Sequence, residues 1–310
     1  MPILSRKRHH LNWTPLVDVI IPCYNVEHIV ENCISSVLNQ QYQRDFNIFL
    51  VNDGSTDQTG TILDSFHSHS HIKIIHLEKN GGLSTARNEG INAGNGEVVL
   101  FLDSDMVVQD NWINEHIRAL GQNNIVGVIG DSILPKEIKP NVLDKYLYGL
   151  RRGARQFGEN TSISFHYFLF NNTSVKRAIF DVVELFDENI TSYGGEDTEL
   201  AIRLWEAYPD GLRFSFTASS EHHHQRELKD FCQSMHHYGK NNLPILLGKY
   251  PAYLSDLGGD WIYTLKGFVL FNPIIRWFVE ILNRYRPNYF LTRYMVIDAV
   301  VRGARSSTLS

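Results

Sequence analysis

The sequence is poor in cysteine and has no long uninterrupted apolar run. Its three cysteines, Cys23, Cys33 and Cys232, are an odd number without C-x-x-C spacing. This argues against a disulfide framework and against a zinc knuckle. No segment reaches the roughly 18 apolar residues that a membrane-spanning helix needs, and no apolar core of a secretory signal follows the basic residues near the N-terminus. These absences predict a cytoplasmic protein in a reducing compartment.

The chain also lacks an excess of positive charge. It has 29 Lys and Arg residues against 34 Asp and Glu residues, a formal net charge of -5. A nucleic-acid-binding protein that wraps its partner would need the opposite balance, so we expect no nucleic acid partner. Hydrophobic residues make up 43% of the 310 residues, which is enough for a packed core. The composition predicts a globular protein.

Short apolar runs alternate with amphipathic segments over the first 105 residues. The runs at 16–22, 47–51, 72–77 and 98–102 predict strands, and the segments at 27–40, 60–66 and 84–93 predict helices. This alternation is typical of an α/β fold in which a mainly parallel, mixed sheet is flanked by helices. Farther along, residues 162–170 resemble a strand and residues 196–207 a helix.

We divide the chain into three parts on this pattern. Residues 1–14 form an N-terminal arm, and residues 15–215 form the catalytic domain. Within that domain, 15–105 is the nucleotide-binding half and 106–215 the acceptor-side half. Residues 216–310 contain a metal-ligand segment and a helical C-terminal region.

Polar residues follow three of the predicted strands. They are the segment Pro22, Cys23, Tyr24 and Asn25, the residue Asp53, and the triplet Asp103, Ser104 and Asp105. In open α/β sheets ligands bind beyond the carboxyl ends of the strands, so we expect the three segments to meet in one crevice. Two carboxylates at the end of an apolar strand need a cationic partner, and Mn²⁺ or Mg²⁺ would serve. The alternative is a solvated turn.

A second acidic pair, Glu196 and Asp197, follows a Gly-Gly turn at the start of a predicted helix. Carboxylates at this position are often helix caps that compensate the helix dipole. A carboxylate beside a sugar site could instead act as a general base toward an acceptor hydroxyl. Both interpretations remain open for this pair.

Two further motifs complete the candidate site. His222 and His224 would lie on one face of an extended segment, where imidazole nitrogen can ligate a metal ion, although histidines are more often surface residues. Arg87 lies one turn into a helix that follows the Gly81-Gly82 turn. It could contact the diphosphate or ribose of a nucleotide donor, or the turn could simply begin the helix.

Five segments in this order resemble inverting glycosyltransferases of family 2, which contain a DxD motif and have the GT-A fold. The segments are VDVIIPCYNVEHIVENCISSVLNQ (17–40), VNDGSTDQT (51–59), NGGLSTARNEGI (80–91), FLDSD (101–105) and GGEDTELAIRLW (194–205). They extend over the first two-thirds of the chain. The resemblance implies a Rossmann-like GT-A fold with a helical C-terminal extension. It also implies an inverting, metal-dependent hexosyl- or N-acetylhexosaminyltransferase in polysaccharide or glycan biosynthesis.

The resemblance also implies a role for each candidate residue. A nucleotide-diphosphate sugar, most often a UDP-sugar, would place its base on residues 22–24 and Asp53. Asp103 would lie near the ribose and the metal ion, Asp105 would be the principal metal ligand, and His222 would complete the metal shell. Asp197 matches the catalytic base. Many relatives have an Asp where this chain has Asn52, so the pocket around the base would differ here.

Two other functions are consistent with parts of this pattern. A nucleotidyltransferase also uses acidic metal ligands, but its first strand would be followed by a glycine-rich, basic phosphate loop, and here PCYN follows. A non-catalytic sugar- or nucleotide-binding module would not need both acidic motifs. We therefore favour the transferase, acting on a saccharide or a lipid-linked glycan acceptor.

The C-terminal region interleaves aromatic and basic residues between 261 and 302. This pattern is typical of an amphipathic element on a membrane surface, here the inner face of the plasma membrane. A helical subdomain whose aromatic side chains pack on the catalytic domain, or on a second subunit in a homodimer, would give the same pattern.

Overall fold

The structure, a computed structural model, describes residues 13–307. The N-terminal arm expected at 1–14 therefore lies outside the described residues, except for Trp13 and Thr14. Eight strands form one mixed sheet in the order β3-β2-β1-β4-β7-β6-β8-β5. The strands are β1 (Val17–Cys23), β2 (Phe46–Asn52), β3 (Ile72–His76), β4 (Val98–Leu102), β5 (Met106–Val108), β6 (Gly127–Ile133), β7 (Asn172–Lys176) and β8 (Leu212–His222).

Helices cover the sheet and form the C-terminal region. They are α1 (Val30–Leu38), α2 (Thr59–Asp64), α3 (Leu83–Ala93), α4 (Trp112–Leu120), α5 (Val142–Leu147), α6 (Phe180–Val183), α7 (Glu196–Ala207), α8 (Leu228–Lys249), α9 (Gly259–Tyr263), α10 (Leu265–Leu270), α11 (Pro273–Tyr285) and α12 (Tyr289–Ser307). The mixed sheet, its flanking helices and the helical C-terminal extension confirm the predicted fold class.

The first half is built from parallel strands joined by helices. β1 pairs with β2 on one side and β4 on the other, and β2 pairs with β3, all in parallel. Every residue of β1 and β4 is buried, because helices cover both faces of the sheet. This is why these strands appear in the sequence as continuous apolar runs rather than as alternating patterns. Their carboxyl ends all lie at one edge.

The second half contains the antiparallel pairs. β7 pairs with β4 and β6, while β8 runs parallel to β6. The short strand β5 begins directly after the Asp103-Ser104-Asp105 triplet and pairs with the end of β8, with Met106 opposite His222. Beyond this pair, the His223 N–H donates a hydrogen bond to the Asp105 carbonyl at 2.9 Å. This register places the histidine segment beside the acidic triplet.

The prediction of a strand at 162–170 is wrong. Ser162 forms an isolated bridge to Arg213, and a single 3₁₀ turn follows at Phe165–Tyr167. Three aromatic side chains in this segment are buried in the core around β4 and α7, namely Phe165, Phe168 and Phe170. Their burial, rather than strand pairing, accounts for the apolar character of the segment.

The C-terminal region is organised around two long antiparallel contacts between helices. α8 and α12 approach so closely that a Cβ atom at Gly239 would lie 2.1 Å from the Val300 carbonyl oxygen. α11 is held on α12 by Arg276, whose Nε lies 2.6 Å from Asp298 Oδ2. Among residues 13–307, no helix combines the length and apolarity that crossing a bilayer requires. The domain boundary expected at residue 215 lies inside β8, so this region begins within the sheet.

Candidate functional site

A cavity of about 440 Å³ lies at the carboxyl ends of β1, β2 and β4. Its lining includes most of the residues that the strand ends were predicted to contribute: Pro22, Cys23, Tyr24, Asp53, Asp103, Ser104 and Asp105. Glu196 reaches it from the start of α7, and residues 190–193 also line it. We refer to this space as the strand-end cavity.

Asp53 fixes the loop that forms one rim of the strand-end cavity. Its Oδ1 accepts a hydrogen bond from the Gly81 N–H at 2.7 Å, and its Oδ2 accepts one from the Gly82 N–H at 3.0 Å. Burial raises the pKa of the Asp53 carboxyl, while these two N–H groups act in the opposite direction. Gly82 has φ of +87°, a conformation that favours glycine. Asp53 therefore orders the Gly-Gly turn in addition to facing the cavity.

Asn25 has a different position from the one expected. It adopts a left-handed conformation with φ of 51° and accepts a hydrogen bond from the Thr56 N–H at 2.8 Å. Its own N–H donates to Ser55 Oγ at 3.1 Å. Asn25 thus ties the loop after β1 to the loop after β2, just outside the lining of the cavity.

Arg87 lies behind the cavity wall, with 1% of its side chain exposed. Its Nη1 contacts Asp197 Oδ1 at 2.7 Å and Glu196 Oε1 at 3.2 Å, and its Nη2 contacts Asp103 Oδ1 at 3.4 Å. Nη2 also donates to the Phe170 carbonyl at 3.3 Å. One guanidinium therefore connects the acidic triplet to the second acidic pair, and we call these four side chains the Arg87 network.

The two carboxylates of the second acidic pair differ in their surroundings. Gly194 and Gly195, with φ of 77° and 102°, turn the chain into α7 directly before them. Burial and the neighbouring Asp197 charge raise the pKa of Glu196 to about 7, against the effect of Arg87. The Glu196 side chain is 4% exposed and that of Asp197 18% exposed. Asp197 is thus the more accessible of the two.

Asp105 and His222 meet at the other end of the acidic triplet. His222 Nε2 lies 3.0 Å from Asp105 Oδ2, and the hydroxyl of Tyr148 contacts His222 Nδ1. Asp105 Oδ1 is buried and has no hydrogen-bond partner among the described residues. Although burial acts in the other direction, the His222 hydrogen bond lowers the pKa of Asp105. A buried carboxylate oxygen without a partner, beside an imidazole, fits the ligand set of a divalent cation.

Asp103 differs electrostatically from Asp105. Burial raises its pKa to about 6, with the Asp105 charge adding to the rise and Arg87 opposing it. Within residues 13–307 there is no group of three or more His, Cys, Asp or Glu side chains that could hold a metal ion by itself. Asp103, Asp105 and His222 would therefore have to share a cation with oxygen atoms from a ligand.

His224 lies apart from this arrangement. It lines a separate open cavity together with Tyr193 and Arg226. Arg226 packs on the Tyr193 ring at 5.5 Å and donates to its hydroxyl at 3.2 Å. The structure thus brings His222, rather than both histidines, into hydrogen-bond contact with Asp105.

Two residues at the site were given no role from the sequence. They are Tyr148, which contacts His222, and Tyr193, which lines the strand-end cavity. Tyr193 could have been noticed because it directly precedes Gly194 and Gly195. Tyr148 gave no comparable signal, since 74 residues separate it from its partner.

Solved structures of other proteins have a similar fold. The crystal structure of residues 1–349 of Staphylococcus aureus TarS in complex with UDP aligns over 95% of this chain and 91% of TarS 1–349, with a TM-score of 0.55 and 18% identity. The mannosyltransferase PcManGT of Pyrobaculum calidifontis, in complex with GDP-Man and Mn²⁺, aligns over 94% of this chain and 87% of its own, with a TM-score of 0.63 and 17% identity. At these identities the similarity concerns the fold.

Curated relatives match at the level of sequence. The uncharacterised glycosyltransferase YfnE of Bacillus subtilis is 26% identical over 279 residues, which are 75% of this chain and 70% of YfnE. The poly-β-1,6-N-acetyl-D-glucosamine synthase of Staphylococcus epidermidis is 29% identical over 182 residues, 56% of this chain and 44% of the synthase. Two further relatives are matched over 38% and 32% of their length.

The sequence profile of the family described as glycosyl transferase family 2 matches residues 18–179. The matched region contains the strands, the Gly-Gly turn and the acidic triplet that form the strand-end cavity. It covers more than half of the chain, and the similar folds of TarS and PcManGT agree with it. The chain belongs to glycosyl transferase family 2.

Proposed function

We propose that this glycosyltransferase moves a sugar from a nucleotide-diphosphate sugar, a UDP-sugar in the first instance, to a hydroxyl group of a saccharide or glycoconjugate. The reaction inverts the anomeric centre and depends on Mn²⁺ or Mg²⁺. One observation carries the proposal: Asp53, the acidic triplet and Glu196 line a single cavity. Behind its wall, Arg87 joins Asp197 to Glu196 and Asp103. Neither a nucleotidyltransferase nor a non-catalytic binding module accounts for this convergence together with the family assignment.

The strand-end cavity has the size and lining of a nucleotide site. Its volume of about 440 Å³ is within the range of small-molecule sites, roughly 300–1,000 Å³. Tyr24 is 46% exposed and offers a ring face for a base, while Pro22 and Asp53 flank it. The TarS structure with bound UDP and the PcManGT structure with GDP-Man support a nucleotide diphosphate as the ligand class.

Asp105, Asp103 and His222 would hold the divalent cation. The unpartnered Asp105 Oδ1 offers a ligand oxygen, and Tyr148 at His222 Nδ1 orients the imidazole so that Nε2 faces Asp105. When bound, the cation stabilises the negative charge of the departing diphosphate. His224 remains a second candidate ligand, since it follows His222 by two positions. The Mn²⁺ in the PcManGT structure supports the choice of metal.

Asp197 is the proposed general base. It must reach an acceptor hydroxyl, and its carboxylate is more exposed than that of Glu196. Arg87 positions it by a 2.7 Å contact and so fixes its distance from the acidic triplet. Glu196 lines the cavity, and its raised pKa makes it the alternative base.

A second cavity of about 340 Å³ is the proposed acceptor site. Its lining includes Asp131, Tyr148, Arg152, Asn171 and His222. His222 therefore belongs to this cavity while it contacts Asp105, which lines the strand-end cavity. An acceptor bound here would lie beside His222, which contacts Asp105 of the strand-end cavity. We propose that the acceptor is a growing polysaccharide or a lipid-linked glycan, at the cytoplasmic side of the membrane.

Slow hydrolysis of a panel of nucleotide sugars, with water as the acceptor, tests the proposal. We expect release of the nucleotide diphosphate from one class of donor, only when Mn²⁺ or Mg²⁺ is present. Asp197→Asn should lower the turnover by about 10²-fold or more while the donor dissociation constant is unchanged. Glu196→Gln serves as the matched variant and should lower turnover less. If Glu196→Gln is the more damaging variant, Glu196 is the base. Metal-independent hydrolysis of every donor would refute the proposal.

A further inference from the structure

The exposed apolar residues of the protein are concentrated on α10 and α11. On α11 the exposed apolar side chains recur at positions i, i+3, i+4, i+7, i+8 and i+11, which are neighbours on one helix face. They are Ile274, Trp277, Phe278, Ile281, Leu282 and Tyr285, with exposed fractions between 36% and 78%. We call this row the α11 stripe.

The opposite face of α11 is the one that packs on the protein. Arg276 pairs with the buried Asp298 of α12, and Asn283 is 9% exposed. Among residues 13–307, the protein thus covers one face of α11 and leaves the α11 stripe exposed. Helix α10, which directly precedes α11 in the chain, also exposes apolar side chains, with Leu265 at 80%, Phe268 at 53% and Val269 at 57%. An exposed apolar helix face of this kind marks an interaction surface.

The charges around the α11 stripe are mostly positive, although the whole chain has a net charge of -5. Lys266, Arg284 and Arg286 are exposed. They form no ion pair with any residue in the range 13–307. Glu280 is the one exposed carboxylate between positions 263 and 293. Three cations against one carboxylate make this segment complementary to an anionic surface.

We infer that the α11 stripe and its basic rim dock the protein on an anionic lipid bilayer, with α11 lying in the plane of the interface. Trp, Phe, Ile and Leu on one face and Arg or Lys beside them are the composition of interfacial helices. Each cation near an anionic bilayer adds to the attraction. A second copy of the chain is a poorer occupant, because a symmetric contact would bring this basic face against itself.

The α11–α12 corner is connected to the proposed acceptor cavity. The ring of Tyr289, the first residue of α12, lies 5.3 Å from that of Tyr146. Arg152, which lines the second cavity, packs 4.2 Å from the Tyr146 ring. Tyr289, Tyr146 and Arg152 thus connect the start of α12, which follows α11 in the chain, to the wall of that cavity. The docking inference stands independently of the transferase proposal, since it rests on the C-terminal helices alone.

Vesicle co-sedimentation of the full chain tests the inference. The probes are phosphatidylcholine vesicles with and without phosphatidylglycerol. We expect binding to the vesicles that contain phosphatidylglycerol. Binding should weaken by about tenfold or more in Trp277→Ser/Phe278→Ser and in Arg284→Glu/Arg286→Glu. Val182→Ser, which alters a 62% exposed valine far along the chain from α11, is the matched control and should bind as the native chain does.

Light scattering and circular dichroism on the same variants complete the test. The altered side chains are exposed, so the helical signal should be unchanged. The inference is overturned if the protein binds neither vesicle type. It is also overturned if the protein binds both types equally and Arg284→Glu/Arg286→Glu leaves that binding unchanged. A native dimer that becomes monomeric in Trp277→Ser/Phe278→Ser, without vesicle binding, would assign the α11 stripe to a second copy instead. Because no nucleotide sugar is needed, failure here leaves the transferase test unaffected.

Discussion

Arg87 is the residue on which the arrangement of the acidic groups most depends. It is fully buried and contacts carboxylates from β4 and from the start of α7. Carboxylates in such a place repel one another and are poorly solvated, so the guanidinium between them stabilises both the fold and the spacing of the site. Its Nε, also buried, has no hydrogen-bond partner within residues 13–307.

Replacing Arg87 with methionine should therefore destabilise the protein strongly. The variant leaves Asp103, Glu196 and Asp197 without their shared cation, and breaking a buried ion pair in this way costs about 3–5 kcal/mol. Urea denaturation measures the change. Arg118→Met is the matched control, because Arg118 is 52% exposed and pairs with Glu115 at the surface. This variant should lower the unfolding free energy by less than about 1 kcal/mol. Equal effects of the two variants would contradict the role assigned to Arg87.

His116 should make stability depend on pH. It is fully buried, and burial lowers its pKa to about 4, although the hydrogen bond that its Nε2 donates to Asn172 Oδ1 raises it. In the unfolded chain the histidine titrates near 6.5, so between pH 6.5 and 4 the unfolded state binds more protons and stability decreases as pH decreases. Keeping His116 neutral thus contributes roughly 3 kcal/mol to the unfolding free energy above pH 6.5. This contribution is lost as the pH decreases toward 4.

The His116→Gln variant tests this directly. The difference in unfolding free energy between pH 7 and pH 4 should be smaller in the variant by about 3 kcal/mol. His67→Gln, which changes an exposed histidine, should leave the difference as it is in the native protein. A pH dependence that is the same in all three proteins would show that His116 does not titrate as proposed.

At this scale the sequence predicted residue types better than contacts. Asp53, the acidic triplet and the Glu196–Asp197 pair were identified because carboxylates after apolar strands or Gly-Gly turns are chemically unusual. The Arg87 network could not be predicted in the same way, since Arg87 and Asp197 are 110 residues apart. A sequence motif indicates that a charged residue is present, whereas the packing of the helices determines which residue it pairs with.

Among the elements, the Gly81-Gly82 turn has the clearest consequence for ligand binding. The turn is held by Asp53 and leads into α3, and Gly82 has φ of +87°. A Cβ atom there would lie 3.1 Å from the carbonyl oxygen of Thr191, which also lines the strand-end cavity. Side chains other than glycine are strained in this conformation.

Gly82→Ala should lower the unfolding free energy by about 1–2 kcal/mol and weaken nucleotide binding, because the rim of the cavity must shift. Gly248→Ala is the matched control: no atom lies within 4 Å of the added methyl group, and the residue is helical. Its stability should be unchanged or higher by up to about 1 kcal/mol. Urea denaturation and calorimetry with the nucleotide measure both effects. If Gly82→Ala behaved like Gly248→Ala, the turn would not be strained.

Elements with a local signal in the sequence were predictable in both halves. β4 in the first half and α7 in the second have the bounds that the sequence suggested, because apolar runs and helical spacing are local signals. The error at 162–170 arose because buried aromatic residues in an irregular segment mimic a strand. The pairing of β5 with β8, which sets Met106 opposite His222, depends on residues more than 100 positions apart.

At the scale of the whole molecule, one sheet carries two cavities. The carboxyl ends of the parallel strands, together with residues 190–193 and Glu196, line the strand-end cavity, and residues of the second half line most of the other. Asp105 and His222 lie at the boundary between them. Family membership and fold follow from order and pattern in the sequence, whereas the donor sugar and the acceptor depend on loops that no motif describes.

The central claim is that this boundary holds a divalent cation together with a nucleotide diphosphate. Calorimetric titration with the nucleotide diphosphate chosen by the donor panel, in the presence and absence of Mn²⁺, tests it most directly. We predict that Mn²⁺ strengthens binding to the native protein by about tenfold or more and has no such effect in Asp105→Ala, which lacks the principal ligand. Binding that is equally tight without Mn²⁺, or unchanged in Asp105→Ala, would contradict the account.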